Sequence, residues 1–453
     1  MLQSFQIKNF LIISVITSFI FLWGAPATIG IDFDFRYIIL FIAPLVLKEI
    51  VDDLLKNKNF MFLYLCLGIF SFLILHGIFL KDFLDSNFFY SVFFSIYLFA
   101  IAYYYFQLIL ENKKNIIILF LIIFFISMIA TYFFTNLTSN PEPFSCGAIK
   151  NYFPGKNDFL SKYFFLHFIS SYEILFQENS HFAMTSVSII LFSFFLFFHR
   201  KISKIFFTLL LLFIIISLLK SSATLMAGLF VSSIALILFD YKRIGFLLAG
   251  VMMFLSIFLL YNFTQDVVCV KKINPNFEGT NLFEQSNLEF FQKKSEIKIL
   301  PEGVPQKSQI TILPEGVPLN SNEGSISAAV FFHALNVSIY SFVKRPLGWG
   351  LQGYETAFLN YNKNNKDINV NLSIYNSKDA TNNFFKIITE FGIFGFSIYL
   401  LLAFVLIDKK VSLENKIFLF PFLITQSIRG AGYFNGGFLL IMFILLTLKF
   451  KNK

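Results

Sequence analysis

Apolar runs recur along most of the chain, separated by short polar stretches rich in lysine. A helix crossing the roughly 30 Å hydrocarbon layer needs about 20 mostly apolar residues, at about 1.5 Å per residue. The pattern predicts about twelve such spans, near 8–25, 36–47, 60–80, 87–110, 115–134, 181–199, 204–219, 222–239, 243–262, 385–407, 415–428 and 431–449. The second and eleventh are short of strictly apolar residues, but Arg36 and Arg429 at their ends can snorkel and extend them. Only Lys8 precedes the first run as a charge and no small-residue cleavage site follows it, so it reads as a retained helix rather than a signal peptide.

Charge then sets the orientation. With the amino terminus in the cytoplasm, Lys48, Lys56, Lys58, Lys113, Lys114, Arg200, Lys201, Lys204, Lys242, Arg243, Lys409, Lys410 and Lys416 fall inside together with both termini. The opposite short loops keep Arg36, Lys81, Lys220 and Arg429, and this asymmetry is the one expected of cytoplasmic loops. Two longer segments lie outside, 135–180 and the large loop 263–384 between the ninth and tenth helices. The expected plan is an all-α polytopic membrane protein: helices one to nine in 1–262, a large periplasmic loop in 263–384, and helices ten to twelve in 385–453. One dominant outer loop points to a catalytic or recognition face on that side.

Composition agrees and excludes other classes. Of 453 residues, 57% are apolar and 14% charged, against about 25% charged in a soluble domain. A cytosolic globule, a nucleic-acid binder and a disordered chain are all disfavoured. The net charge of +9 follows the topology rather than a polyanion partner. The 67 phenylalanines, beside abundant isoleucine, asparagine and lysine, fit a nucleotide bias acting on permissive lipid-facing positions.

Of three cysteines, Cys66 falls in a span and Cys146 and Cys269 in the two outer segments. An external compartment tolerates disulfides, so these two are either bridged or two free thiols. In the large loop KSEIKILPEGVP at 294–305 is nearly repeated as KSQITILPEGVP at 307–318. The alternation ending in Pro-Glu-Gly predicts two short strands with turns, most simply a local duplication.

No phosphate-binding Gly-rich loop, paired-Cys site or HExxH motif occurs, so neither a nucleotide nor a metal cofactor is expected. What remains is polar and charged residues at the outer ends of the spans, costly in lipid and therefore functional candidates. Glu178 and His181, three apart at the start of the sixth span, can share a helix face, where a carboxylate would orient an imidazole base. His333 stands in a periodic stretch that predicts an amphipathic helix on the membrane surface.

KRPLGWGLQGYETAF at 344–358 is followed by ATNNFFKIITEFGIFGFSIYLLL at 380–402. Pro346, Gly348, Gly350, Gly353 and Tyr354, then Asn382, Glu390, Gly392 and Gly395 leading into a span, resemble the shared region of the bacterial O-antigen ligase and O-antigen polymerase family. The resemblance implies about twelve spans with a large periplasmic loop in this place. It also implies transfer of a glycan from an undecaprenyl-diphosphate carrier to a glycan acceptor, at the outer face of the bacterial inner membrane and without a nucleotide sugar. Where family ligases are similar in a His-Asn pair, this chain has Thr381 and Asn382; where a Ser-Arg-Gly-like element is common, it has Lys220, Ser221 and Ser222. These departures favour a polymerase of lipid-linked repeat units over a ligase acting on lipid A core. A transporter or flippase ranks third, because no repeat symmetry is visible.

Such a reaction needs cations for the departing diphosphate, and arginine suits it through bidentate hydrogen bonds. Arg345, beside a Gly-rich turn, Arg429 at the outer mouth of the last two spans, and Lys220 are the diphosphate candidates. Glu178, His181 and Glu390 are the catalytic candidates, Glu390 also as a partner orienting Arg429 or Lys220. Tyr354, Asn382 and His333 are candidate glycan contacts. The sequence leaves open whether a partner protein regulates chain length.

Overall fold

A computed structural model of the chain describes residues 2–21, 35–58, 60–80, 86–138, 179–198, 204–219, 224–236, 326–365, 376–430 and 432–451. Glu178, Lys220, Cys146, Cys269, the repeat at 294–318 and the predicted span 243–262 lie outside the described residues.

The described residues form helices joined by turns, with no strand among them. In chain order they form α1 (Leu2–Phe21), a 3-10 helix (Phe35–Ile42) running into α2 (Ala43–Val51), α3 (Met61–Leu80), α4 (Ser86–Glu111), α5 (Lys113–Thr138), α6 (Asn179–Phe198) and α7 (Lys204–Leu219). Then come α8 (Thr224–Leu236), α9 (Ile326–Lys344), α10 (Tyr354–Asn364), α11 (Asn383–Phe391), α12 (Ile393–Ile407), α13 (Leu413–Ile428) and α14 (Phe438–Lys451). Among the described residues two helices, Met61–Leu80 and Asn87–Glu111, are long and apolar enough to cross a membrane, and several shorter ones are also apolar. Helix α3 turns Tyr64, Leu67, Leu75 and Phe79 outward, the surface expected of a helix that meets lipid rather than water.

Phenylalanine does more than fill lipid-facing positions. Phe19, Phe21, Phe88, Phe120, Phe124, Phe192, Phe213 and Phe422 are fully buried. Phe124 meets Phe182 and Phe213 at centroid distances of 5.6 and 5.4 Å, the offset and edge geometries that aromatic quadrupoles prefer. Small residues allow close helix approach elsewhere: a Cβ on Gly228 of α8 would stand 2.8 Å from Thr425 Oγ1 on α13.

The structure corrects two boundaries. The last helix begins at Phe438, not near 431, because Gly432, Gly436 and Gly437 all have positive φ. The predicted span 385–407 is two helices, α11 and α12, broken at Gly392 with φ 56. The hydropathy is continuous across the break, so only the tertiary contacts of Gly392 reveal it.

Candidate functional site

Helix α11 is nine residues long, with its apolar neighbours on every side and two charges inside. Asn382 caps its start: the extended cap residue accepts a hydrogen bond on Oδ1 from Phe385 N at 2.7 Å, satisfying one of the orphan donors of the first turn. The approach to that cap is strained. Ala380 and Thr381 are both left-handed, φ 58 and 62, and for β-branched Thr381 this is a genuine outlier.

The other end of α11 explains the glycine motif. Trp349 N donates to Thr389 O at 3.0 Å and Gly350 N to Glu390 O at 2.9 Å, so the turn 345–353 caps the last carbonyls of α11. Ile393 N returns a bond to Pro346 O at 2.9 Å. A Cβ on Gly348 would lie 2.2 Å from Glu390 O, and one on Gly392 2.0 Å from Pro346 O. Only glycine permits this approach. The Gly-rich turn that the sequence offered as a phosphate cradle thus spends its backbone on α11 instead. His76 of α3 fastens the same turn, its Nε2 donating to Leu347 O at 2.9 Å.

Glu390 is fully buried at the centre. Its carboxylate receives Gln352 N at 3.1 Å, Tyr354 N at 3.4 Å and the Tyr433 hydroxyl at 2.6 Å. Lys386, 3% exposed and one turn back on α11, lies 3.9 Å from Glu390 Oε1 and 3.6 Å from Asp379, and donates to Lys378 O at 2.6 Å. A buried charge this well surrounded is held in place on all sides. Glu390 therefore orients α10, α11 and the Tyr433 turn relative to one another. Lys386, Asp379 and Tyr433 were missed by the sequence reading, although a Lys-Glu pair four apart inside an apolar run was a usable signal.

Arg429 and Arg345 stand at opposite ends of α11. Gly430 N donates to Thr381 O at 2.9 Å, which docks the Arg429 turn against the start of the helix. Arg345 is exposed, its guanidinium 4.2 Å from the Trp349 ring centroid, beside the end of the helix. Eight helical steps of about 1.5 Å place the two ends about 12 Å apart. The two arginines therefore join the fold at opposite ends of α11.

Asn382 is 1% exposed, and its Nδ2 has no hydrogen-bond partner among the described residues. It lines a groove of about 440 Å³ with residues of α8, α12 and α13. A second apolar cleft, about 380 Å³, lies across α11 and α12, between α3 and α14, and reaches Tyr433.

Tyr354 and His333 belong to a small buried core with Phe358 and Phe385 rather than to an open surface. Burial and the nearby Asp379 and Glu390 push the Tyr354 hydroxyl pKa well up, so it stays protonated. His333, 6% exposed between Phe358 and Tyr361, is held below the usual histidine range by burial, offset in part by Asn362. His181 lies half-buried in the first turn of α6, next in sequence to Phe182, whose ring packs in the aromatic layer of α5, α6 and α7.

No family model matches the chain, and neither a curated protein nor a solved structure matches it.

Proposed function

We propose that the chain is a multi-pass protein of the bacterial inner membrane, with about twelve spans and both termini in the cytoplasm. We infer that it is a polymerase joining undecaprenyl-diphosphate-linked repeat units into an O-antigen-type polysaccharide at the periplasmic face. The observation that supports this most is the docking of the Arg429 turn onto the start of α11, where Gly430 N meets Thr381 O at 2.9 Å beside the unpaired amide of Asn382. A helix start, an arginine and a buried donor at one point favour an anion such as a departing diphosphate. Two apolar clefts flank the same helix, and both substrates of a polymerase carry a lipid.

In this reading Arg429 and Asn382 hold the diphosphate, and Glu390 with Lys386 and Tyr433 fixes α11 so that both point correctly. Arg345 is an interfacial anchor stacked on Trp349. A lipid-linked glycan, its glycan acceptor and the bilayer are the partners.

The test is the surface glycan of a strain lacking the gene. Core bearing a single repeat unit is expected; bare core with polymer left on the carrier identifies a ligase, and a normal ladder overturns both. Arg429→Ala, expressed at the normal level, is expected to reproduce the deletion, whereas Arg345→Ala keeps a ladder.

A further inference from the structure

The groove beside Asn382 carries a gradient of polarity. Its polar residues, Asn382, Tyr399 and Ser427, gather at one end, with Ser427 Oγ donating to the Tyr399 hydroxyl at 3.3 Å. From there α12 and α13 line it in opposite directions, to Leu406 and Phe420 at the far end. Seven helical steps at about 1.5 Å make it about 10 Å long. Ala235 and Ala403 line it with small side chains, and Ala403 is exposed among the described residues, which leaves room for an occupant longer than the groove. An amphiphile matches that gradient: chain against the leucines, acceptor oxygens at the unpaired Asn382 Nδ2.

We propose that this groove binds the first isoprene units of the donor's polyprenyl chain, delivering its diphosphate to the start of α11. The assignment rests on the reaction proposed above, and it favours the donor because the residue at the polar end also caps the helix that carries Glu390.

Full-length protein in phosphatidylglycerol nanodiscs is irradiated with a diazirine-tagged polyprenyl diphosphate, and the labelled peptides are mapped. Label is expected on the stretches around Ala403 and Leu423, displaced by unlabelled undecaprenyl diphosphate but not by added phosphatidylglycerol. Ala403→Trp, and independently Ala235→Trp, should cut it at least tenfold, while Leu75→Trp, on the exposed face of α3, stays within twofold of the parent. Label around Phe72 and Met442 instead, or equal displacement by phosphatidylglycerol, overturns the assignment. Should both groove variants label normally while Arg429→Ala abolishes polymer, the groove fails and the reaction stands. If labelling follows expectation but Arg429→Ala leaves the ladder intact, the groove stands and the reaction reading fails.

Discussion

The Tyr433 hydroxyl donates to Glu390 Oε2 at 2.6 Å, joining the turn before the last helix to the last turn of a helix 43 residues earlier. With Gln352 N and Tyr354 N from the start of α10 and Lys386 from its own helix, it makes Glu390 the point where three chain segments meet. Removing a partner from a buried charge costs more than the bond itself, because the remaining charge is stranded.

Glu390→Ala removes the acceptor of Tyr433, Gln352 N and Tyr354 N and leaves Lys386 to Asp379 and Lys378 O, and should destabilise the purified protein by about 3–5 kcal/mol. Tyr433→Phe, which removes one hydrogen bond to a charged group, should cost about 1.5–3 kcal/mol. Thermal unfolding in detergent ranks the two, and equal Tm values for both variants and the parent would show that the cluster holds nothing.

Asn382 has two separable tasks, capping through Oδ1 and donating through Nδ2. Asn382→Ala should cost about 1 kcal/mol of stability through the lost cap. Asn382→Asp keeps the cap, suits the helix dipole, and replaces the donor by a negative charge. Its expected signature is loss of the polysaccharide ladder at matched expression, with a Tm lowered by the buried carboxylate. A normal ladder in N382D would exclude Asn382 from anion binding.

His333 sets a pH dependence. Burial lowers its folded pKa below the ordinary value of 6.5, so the unfolded chain takes up a proton that the folded chain refuses. Stability is therefore complete above about 6.5 and falls as the pH drops through and below it, by at most about 1.4 kcal/mol per unit. His333→Gln should flatten the Tm difference between about pH 7.5 and about pH 5.5.

Gly348, φ +97, would place a Cβ 2.2 Å from Glu390 O. Gly348→Ala should lose about 2–5 kcal/mol from left-handed backbone and overpacking together. Gly68 of α3 is the control, because a Cβ there meets nothing within 4 Å; Gly68→Ala should gain about 0.5–1 kcal/mol as a helix interior residue. Yield and Tm of the pair decide whether the glycine turn is a structural clamp on α11.

The helices were legible in the sequence, because a long apolar run reports its own environment: α3, α4 and α13 begin and end within a few residues of where hydropathy puts them. Arg429 stood out for a similar reason, as a charge beside apolar runs, whereas Asn382 and Glu390 were singled out by the family resemblance of their stretch. The pairing of Lys386 with Glu390 was present as a spacing, but its meaning depended on burial.

Tertiary structure decided what no local pattern encodes. The break at Gly392 arises from Pro346 and Gly348, more than 40 residues earlier in the chain, so a run that reads as one span folds as two helices. The same contacts turn the glycine motif from a phosphate cradle into a helix cap and set Arg345 and Arg429 at opposite ends of α11. Hydrophobicity is a property of each segment, whereas the partners of a carbonyl or a carboxylate are supplied by distant ones. The sequence could nominate the charged groups, and only the packed chain could say which of them share a site.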